Sequence, residues 1–273
     1  MQILDGKKEA EKILSDLKKR IAKKKLSPKL AVILIGQNRA SELYVKLKTK
    51  AAEKIGGKLV LYKFGKSVAE EKIIRQIKDL NNDSSIHGII VQLPLPKKFR
   101  TDRIIGAVSP QKDVDGFQKN SRFSPVLPLA IFLALKKGVK IFKNKKAVAL
   151  VNSDVFGLTL RKFLKKNKIT ASYILKSEVS WQKFEERTKS ADILISVCGI
   201  PHLIKSEMIK KGAVLIDAGI SYAGRTRKVL GDVDRESVKD KASFLTPVPG
   251  GIGPLTVASL LKNLFYAVKN KHD

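Results

Sequence analysis

Seven short apolar runs alternate with amphipathic stretches along this chain of 273 residues, and that alternation restricts the fold more than any other feature. The runs are "KLAVILIG", "KLVLYKF", "IHGIIVQLP", "KAVALV", "ASYIL", "ADILISV" and "GAVLIDAG". Each reads as a strand buried on both faces, which shows continuous hydrophobicity in place of an every-other-residue pattern. The stretches between them have helical spacing. "EAEKILSDLKKRIAKKK" sets Ile13, Leu17 and Ile21 at intervals of four, and "ASELYVKLKTKAAEKIG" ends at Gly56-Gly57. Parallel neighbours need a crossover, so strands alternating with helices imply parallel sheets covered on both faces. The expected class is α/β. The prolines of "NSRFSPVLP" (Asn120–Pro128) interrupt the pattern after the third run. The reading is two domains, each a parallel sheet flanked by helices, with a cleft between them. Loops at the carboxyl ends of the strands are the expected place for chemistry.

Charge bears next on function. The 55 basic residues against 25 acidic ones leave a net charge of +30, and 44 of the basic residues are lysines. They are spread along the chain without interleaved aromatics, so a solvated lysine surface is expected, with no specific nucleic-acid site. The same field favours a polyanionic small molecule. The single cysteine, Cys198, excludes an intrachain disulfide, fits a reducing compartment, and lies in an apolar run as a small buried hydrophobe. The histidines His87, His202 and His272 have no metal-ligand spacing, so no metal is expected. "MQILDGKKEAEKIL" lacks the apolar core of a signal peptide, and no apolar run approaches about 18 residues. A soluble cytoplasmic protein is the expectation.

Four places hold residues suited to chemistry. Tyr44 and Lys48 lie at i, i+4 on one helix and share a face. They are either a solvated pair or a cleft pair in which desolvation lowers the lysine pKa toward proton transfer. Gln92 stands where its strand must end, before Pro94 and Pro96, and its amide needs partners. It either meets solvent or orients Lys48 and a substrate. Asp113 and Asp115 of "KDVDGF" form a turn or present a carboxylate to an amino-pyrimidine edge. "TPVPGGIGP" (Thr246–Pro254) packs three prolines and three glycines into a stiff loop with accessible backbone, suited to a flat ligand. A fifth place is a question. Between the run "AVALV" and the helix "GLTLRKFLKK", where a nucleotide-binding domain keeps a glycine-rich phosphate turn, this chain has "VNSDVFG".

The segments "IGQNRASELYVKLKTKAAEKIG", "GIIVQLPLP", "KDVDGF", "ADILISVCGIP", "GAVLIDAGI", "GDVD" and "TPVPGGIGPLTVASLLKN" occur in one order over nearly the whole chain. Together they resemble the bifunctional methylenetetrahydrofolate dehydrogenase/methenyltetrahydrofolate cyclohydrolase (FolD) family. The resemblance implies a folate-binding catalytic domain over 1–121, completed by 254–273, and a Rossmann-like NADP-binding domain over 122–253. It implies Lys48 as general acid/base of the cyclohydrolase step, with Gln92 holding it. It implies Tyr44, Asp115, Pro249, Gly250 and Gly251 at the folate, and Ser153, Ser177 and Ile220 at NADP. A homodimer and polyglutamylated tetrahydrofolate derivatives as ligands are implied as well.

Departures from the family pattern cluster on the nucleotide side. Val151 and Asn152 stand where Gly and a basic residue are usual, "KSEV" (Lys176–Val179) replaces His-Ser-x-Thr, and "PVLPLA" replaces Pro-Cys-Thr-Pro-x-Gly. The first expectation is therefore the bifunctional enzyme with NADP, the second a cyclohydrolase whose dehydrogenase is lost. A non-enzymatic basic protein on the same fold is a third.

Overall fold

A computed structural model describes residues 1–177, 181–223 and 228–272. The chain opens with β1 (Gln2–Ile3) and α1 (Gly6–Lys23), and continues through β2 (Lys29–Ile35), α2 (Arg39–Lys54), β3 (Lys58–Phe64), α3 (Glu70–Asn82), β4 (Gly88–Val91) and α4 (Thr101–Gly106). Then come α5 (Val126–Gly138), β5 (Ala147–Val151), α6 (Asp154–Lys166), β6 (Ala171–Leu175), α7 (Trp181–Lys189), β7 (Ile193–Val197) and β8 (Val214–Asp217). The chain closes with β9 (Ser221–Ala223), β10 (Lys228–Leu230), α8 (Arg235–Val238), β11 (Phe244–Leu245) and α9 (Ile252–His272). All seven apolar runs are strands. The chain folds as two units, one of Ala10–Val126 with the residues from Val257 on, the other of Met1–Glu9 with Leu127–Thr256.

The first unit is built on a parallel sheet in the order β3-β2-β4. Its middle strand is buried throughout, as the unbroken run Leu30–Ile35 requires. Ile73, Ile77 and Leu80 of α3 recur at helical spacing and pack with Ile33, Ile35, Ile89, Val91 and Ile104 into one core. α2 starts at Asn38, whose side chain accepts from the Ser41 amide, and ends at Gly56-Gly57, whose amides return to Glu53 and Ala52. Beyond β4, Asp113 pairs alongside Ile89 in a parallel bridge, so two residues on, Asp115 comes level with the end of that strand. The buried Asn263 of α9 donates to the Val114 and Ser124 carbonyls and pins this loop.

The second unit holds a parallel six-stranded sheet in the order β1-β11-β8-β7-β5-β6, with β9 and β10 as a separate antiparallel pair. From β6 to β11 this is the doubly wound order in which the first strand, β5, lies between the second and third. Its switch point falls between β5 and β7. Val148, Leu150, Ile174, Leu194, Leu215 and Met208 form the core on one face.

Two expectations of domain extent meet differences. Met1–Glu9 lies with the second unit, not within a 1–121 domain, because Gln2 and Ile3 pair with Phe244 and Leu245. The change of unit falls at Val126–Leu127 because α5 begins there. Pro128 sits in the first turn of α5, where a missing amide costs no helical bond. Two short strands of one sheet edge, β1 and β11, were not foreseen, each being only two residues long.

Candidate active site

The carboxyl ends of β2 and β4 form the switch point of the first unit, and the chemistry foreseen for it gathers there. β4 stops at Val91, and the Gln92 amide still donates to Ile33 O at 2.9 Å before the prolines end the ladder. That last bond sets the Gln92 side chain. Its Nε2 donates to Leu93 O at 2.8 Å, leaving Oε1 to accept from Lys48 Nζ at 2.9 Å. Gln92, half-buried, thus has a partner for each end of its amide. The peptide Leu93–Pro94 is cis, and Leu93 O also accepts from the Ser41 hydroxyl of α2 at 3.3 Å, tying the helix of Lys48 to the strand of Gln92.

Burial pushes the Lys48 ammonium below the ordinary lysine range, and the nearby charge of Asp115 opposes that shift. Burial pushes the Asp115 carboxyl up to about 6; the positive charge of Lys48 pulls it down, and Asp113 adds to the rise. The two shifts run toward each other, the lysine downward and the carboxyl upward. The aspartate pair divides its work. Asp113 accepts from the amides of Gly116 at 3.2 Å and Gln118 at 2.9 Å, so it shapes the turn. Asp115 acts on Lys48 through its charge. Tyr44, one turn before Lys48 on α2, is half-buried.

In the second unit, the "VNSDVFG" turn runs from β5 into α6 at the switch point. Ser153 caps α6, its Oγ accepting from the Phe156 amide at 3.3 Å. Gly157 is required by packing: a Cβ there would lie 2.5 Å from the Tyr173 ring of β6. That is the close helix–strand approach a nucleotide turn needs from its last glycine. Asp154, in the first turn, is held by the Tyr173 hydroxyl at 2.5 Å. Lys176 and Ser177 are exposed just past β6, and Ile220 presents an apolar side chain, 38% exposed, beyond β8. Glu178 and Val179 lie outside the described residues. A switch point, a capped 13-residue helix aimed at it, an exposed lysine and serine past β6 and an apolar platform are parts that fit a dinucleotide.

Pro249, Gly250 and Gly251 belong to the second unit, in the loop before α9. Val248–Pro249 is cis, Gly250 has φ of 104°, and the Gly251 amide donates to Pro247 O at 2.8 Å. The loop leaves Pro249 exposed and Gly250 half-buried, while Gly251 is buried, contrary to the accessible backbone its glycines suggested, because the carbonyls of Gly250 and Gly251 pack against Gly6. The loop lines a cavity of about 260 Å³ with Asp217, Gly231 and Thr246. A larger opening of about 520 Å³ lies among Phe132, Lys136, Phe142, Lys143, Asn167 and Lys168, and none of the candidate groups lines it. Its lysines cluster at the carboxyl ends of α5 and α6, where basic residues complement the helix dipole, so we place no chemistry there.

Sequence reasoning left Asp217 and Asp232 without a role, though both are almost wholly buried. The signal was available: an acid ending an otherwise apolar run in "VLIDAG", two residues before a glycine, and a second directly after the glycine of "GDVD". Cys198, expected to be buried, is 5% exposed, and burial lifts its thiol to about 11.

Comparison with known proteins covers nearly the full length. A family model described as "Tetrahydrofolate dehydrogenase/cyclohydrolase, catalytic domain" matches residues 4–115, and its "NAD(P)-binding domain" counterpart matches residues 125–272. The chain is 43% identical to "Bifunctional protein FolD" of Aquifex aeolicus, over 98% of this chain and 96% of that one. The solved bifunctional FolD enzyme from Campylobacter jejuni has a TM-score of 0.92 and 37% identity, with 99% of each chain covered. The Trypanosoma brucei FolD, solved with NADP cofactor and inhibitor, also has a TM-score of 0.92 at 29% identity, covering 99% of this chain and 98% of that one.

Proposed function

The chain belongs to the tetrahydrofolate dehydrogenase/cyclohydrolase family, and from that premise we infer which of its residues do the work. It oxidises 5,10-methylenetetrahydrofolate to the 5,10-methenyl form with NADP and hydrolyses that product to 10-formyltetrahydrofolate. The alternative of a cyclohydrolase without a redox half is not favoured, because the NAD(P)-binding domain model matches residues 125–272, across the altered turn.

One observation supports the assignment of the hydrolytic step: the Lys48–Gln92 hydrogen bond at the end of β4, under the charge of Asp115. Water adding to the methenyl carbon must lose a proton, and a lysine with a lowered pKa takes it more readily at neutral pH. Gln92 aims the amine through Oε1 and keeps it from swinging. The adduct then opens at its bond to N5: its hydroxyl gives up a proton to solvent as it becomes the formyl carbonyl, and the lysine returns the first proton to N5. Asp115, ionised above its pKa of about 6, presents two acceptor oxygens to the N3–H and 2-amino donors of a pterin. We assign Tyr44 to packing along the folate from the same helix face. Pro249, Gly250 and Gly251 are assigned to folate contact, with the exposed Pro249 at its surface.

NADP, when bound, supplies the hydride acceptor. For it, Ser153 and Ser177 are assigned to phosphate and ribose oxygens, Lys176 to negative charge near the adenosine end, and Ile220 to the flat face of the nicotinamide. Asp154, engaged by Tyr173, leaves its negative charge partly compensated at the turn. Two further readings go with this one. The edge strand β3, with Leu61 and the neighbouring Leu43 and Leu47 of α2 exposed, suits pairing with a second copy of the chain. The net charge of +30 suits a polyglutamate tail, and a cytoplasmic site suits the single buried cysteine. Sedimentation of a monomer, or equal affinity for mono- and polyglutamylated folate, would remove these.

The deciding experiment measures NADP reduction with 5,10-methylenetetrahydrofolate and hydrolysis of 5,10-methenyltetrahydrofolate by the pure protein and by Lys48→Met. Both activities are expected in the wild type, and Lys48→Met should lower hydrolysis by about 100-fold or more. Hydrolysis within about tenfold of wild type in Lys48→Met rules out the assigned role.

A further inference from the structure

Two buried carboxylates at the carboxyl ends of β7 and β8 have no part in the chemistry above. Asp217 is 2% exposed and Asp232 fully buried. Asp232 Oδ2 accepts from Ser196 Oγ at 2.6 Å and the Cys198 amide at 2.7 Å, and its Oδ1 accepts from the Ile200 amide at 2.8 Å. Asp217 Oδ1 accepts from the amides of Gly219 at 3.0 Å and Asp232 at 3.1 Å, and its Oδ2 accepts from the Val233 amide at 2.8 Å. Five of these six donors are backbone amides, and no lysine or arginine is among them. The fit is close: a Cβ on Gly219 would fall 2.1 Å from the Asp232 carboxylate, and one on Gly231 would fall 2.1 Å from Asp217 Oδ2. Thr246 adds a reciprocal pair of bonds with the Asp217 backbone, at 2.7 and 3.1 Å.

Burying two acids side by side is costly, and an apolar pair would fill the space at lower cost. What the acids do, and apolar groups cannot, is gather backbone amides from several loops onto single points. Asp232 clamps the loop after β7 at residues 198 and 200, and Asp217 clamps the loop after β8 at residue 219. The two loops meet: a Cβ on Gly199 would lie 3.4 Å from Ile220 O. They stand beside the switch point of the sheet, where doubly wound folds hold their ligand.

We propose that Asp217 and Asp232 are positioning residues of the dehydrogenase step: their carboxylates lock the Cys198–Ile200 and Gly219–Ile220 backbone into the platform on which the nicotinamide ring rests. The proposal depends on the assignment of Ile220 to NADP. Hydride transfer is sensitive to distance and angle, and a displacement of about 1 Å at a reacting group costs on the order of 100-fold in rate. Methenyl hydrolysis does not use the platform, so the two activities separate.

The test uses the full chain and two variants, Asp232→Asn and Ser196→Ala. Asp232→Asn keeps the shape but exchanges one acceptor for a donor facing donors, and Ser196→Ala removes one donor without altering the carboxylate. Three quantities are read: NADP-linked kcat and KM, methenyl hydrolysis, and amide hydrogen exchange of residues 198–200 and 219–220 in protein without cofactor. In Asp232→Asn the dehydrogenase kcat is expected to fall about 100-fold with a smaller change in the KM for NADP, hydrolysis to stay near wild type, and exchange at 198 and 200 to quicken. Ser196→Ala should show the same pattern, several-fold weaker, and carries the test alone if Asp232→Asn does not fold. An unchanged dehydrogenase kcat, parallel loss of both activities, or unaltered exchange overturns the proposal. A wild type that hydrolyses the methenyl substrate yet reduces no NADP overturns the functional reading and this inference with it. The wild-type control separates that result from failure of the inference alone.

Discussion

Replacing Gln92 with leucine tests the hydrolytic site at its narrowest point. Leucine keeps most of the volume and removes the oxygen that accepts from Lys48 Nζ at 2.9 Å. A hydrogen bond to a charged group contributes about 1.5–3 kcal/mol, and each ~1.4 kcal/mol is tenfold in rate, so kcat for methenyl hydrolysis should fall about 10- to 100-fold. The bond positions the amine and does not hold the substrate, so the KM for the folate should change little. A second effect follows from the direction of the Lys48 shift. Burial already lowers its pKa, and loss of an acceptor for the ammonium lowers it further, so the limb of the pH–rate profile set by Lys48 should move to lower pH. Gln92→Glu is the opposite perturbation: a carboxylate beside the amine raises its pKa and should move the limb upward. The assay is the initial rate of loss of methenyl absorbance across pH, in all three proteins. A Gln92→Leu enzyme within about twofold of wild type, with its limb unmoved, would refute the reasoning, since ~0.4 kcal/mol is below any charged hydrogen bond.

Other outcomes follow from the same geometry. Lys48→Met should lower hydrolysis by about 10²- to 10⁴-fold, the usual range for a lost general acid/base, with no loss of thermal stability; a Tm drop in step with activity would point to structure instead. Asp115 titrates near 6, so its charge is lost as pH falls through that value, and folate affinity should weaken there in the wild type but not in Asp115→Asn. Its folded pKa also lies above the unfolded value of 3.8. Relative to Asp115→Asn, the wild type should therefore lose stability as pH rises from 3.8 through about 6, and a Tm difference that is flat with pH would contradict the shift. Gly157→Ala places a methyl against the Tyr173 ring and should destabilise by about 1–3 kcal/mol. Calorimetry of the double variant with Tyr173→Ala should recover part of that loss, and strict additivity would show that the ring is not what the methyl meets.

Sequence alone determined the class of the fold and most of its strands, because burial on both faces leaves an unbroken apolar run whatever surrounds it. The middle strand Leu30–Ile35 and the strand Ala147–Val151 could be read without any partner. It also determined where β4 ends, since Pro94 and Pro96 cannot continue a ladder, and so placed Gln92 at a strand terminus. Lys48 and Gln92 were named from local patterns, and Asp115 from the family resemblance. What joins them was decided only in three dimensions, by the parallel bridge of Asp113 to Ile89 and the bond from Lys48 to Gln92 across 44 positions of sequence. The same holds for the two aspartates of "KDVDGF", which the local pattern leaves equivalent: the amides of Gly116 and Gln118 turn one into a turn former, and the other lies within the charge of Lys48. β1 and β11 were invisible because two residues carry no period and exist only through their pairing. Asp217 and Asp232 were passed over for a related reason. The worth of a buried carboxylate lies in the amides around it, and those come from three loops, after β7, β8 and β10, that only the folded sheet brings to one place.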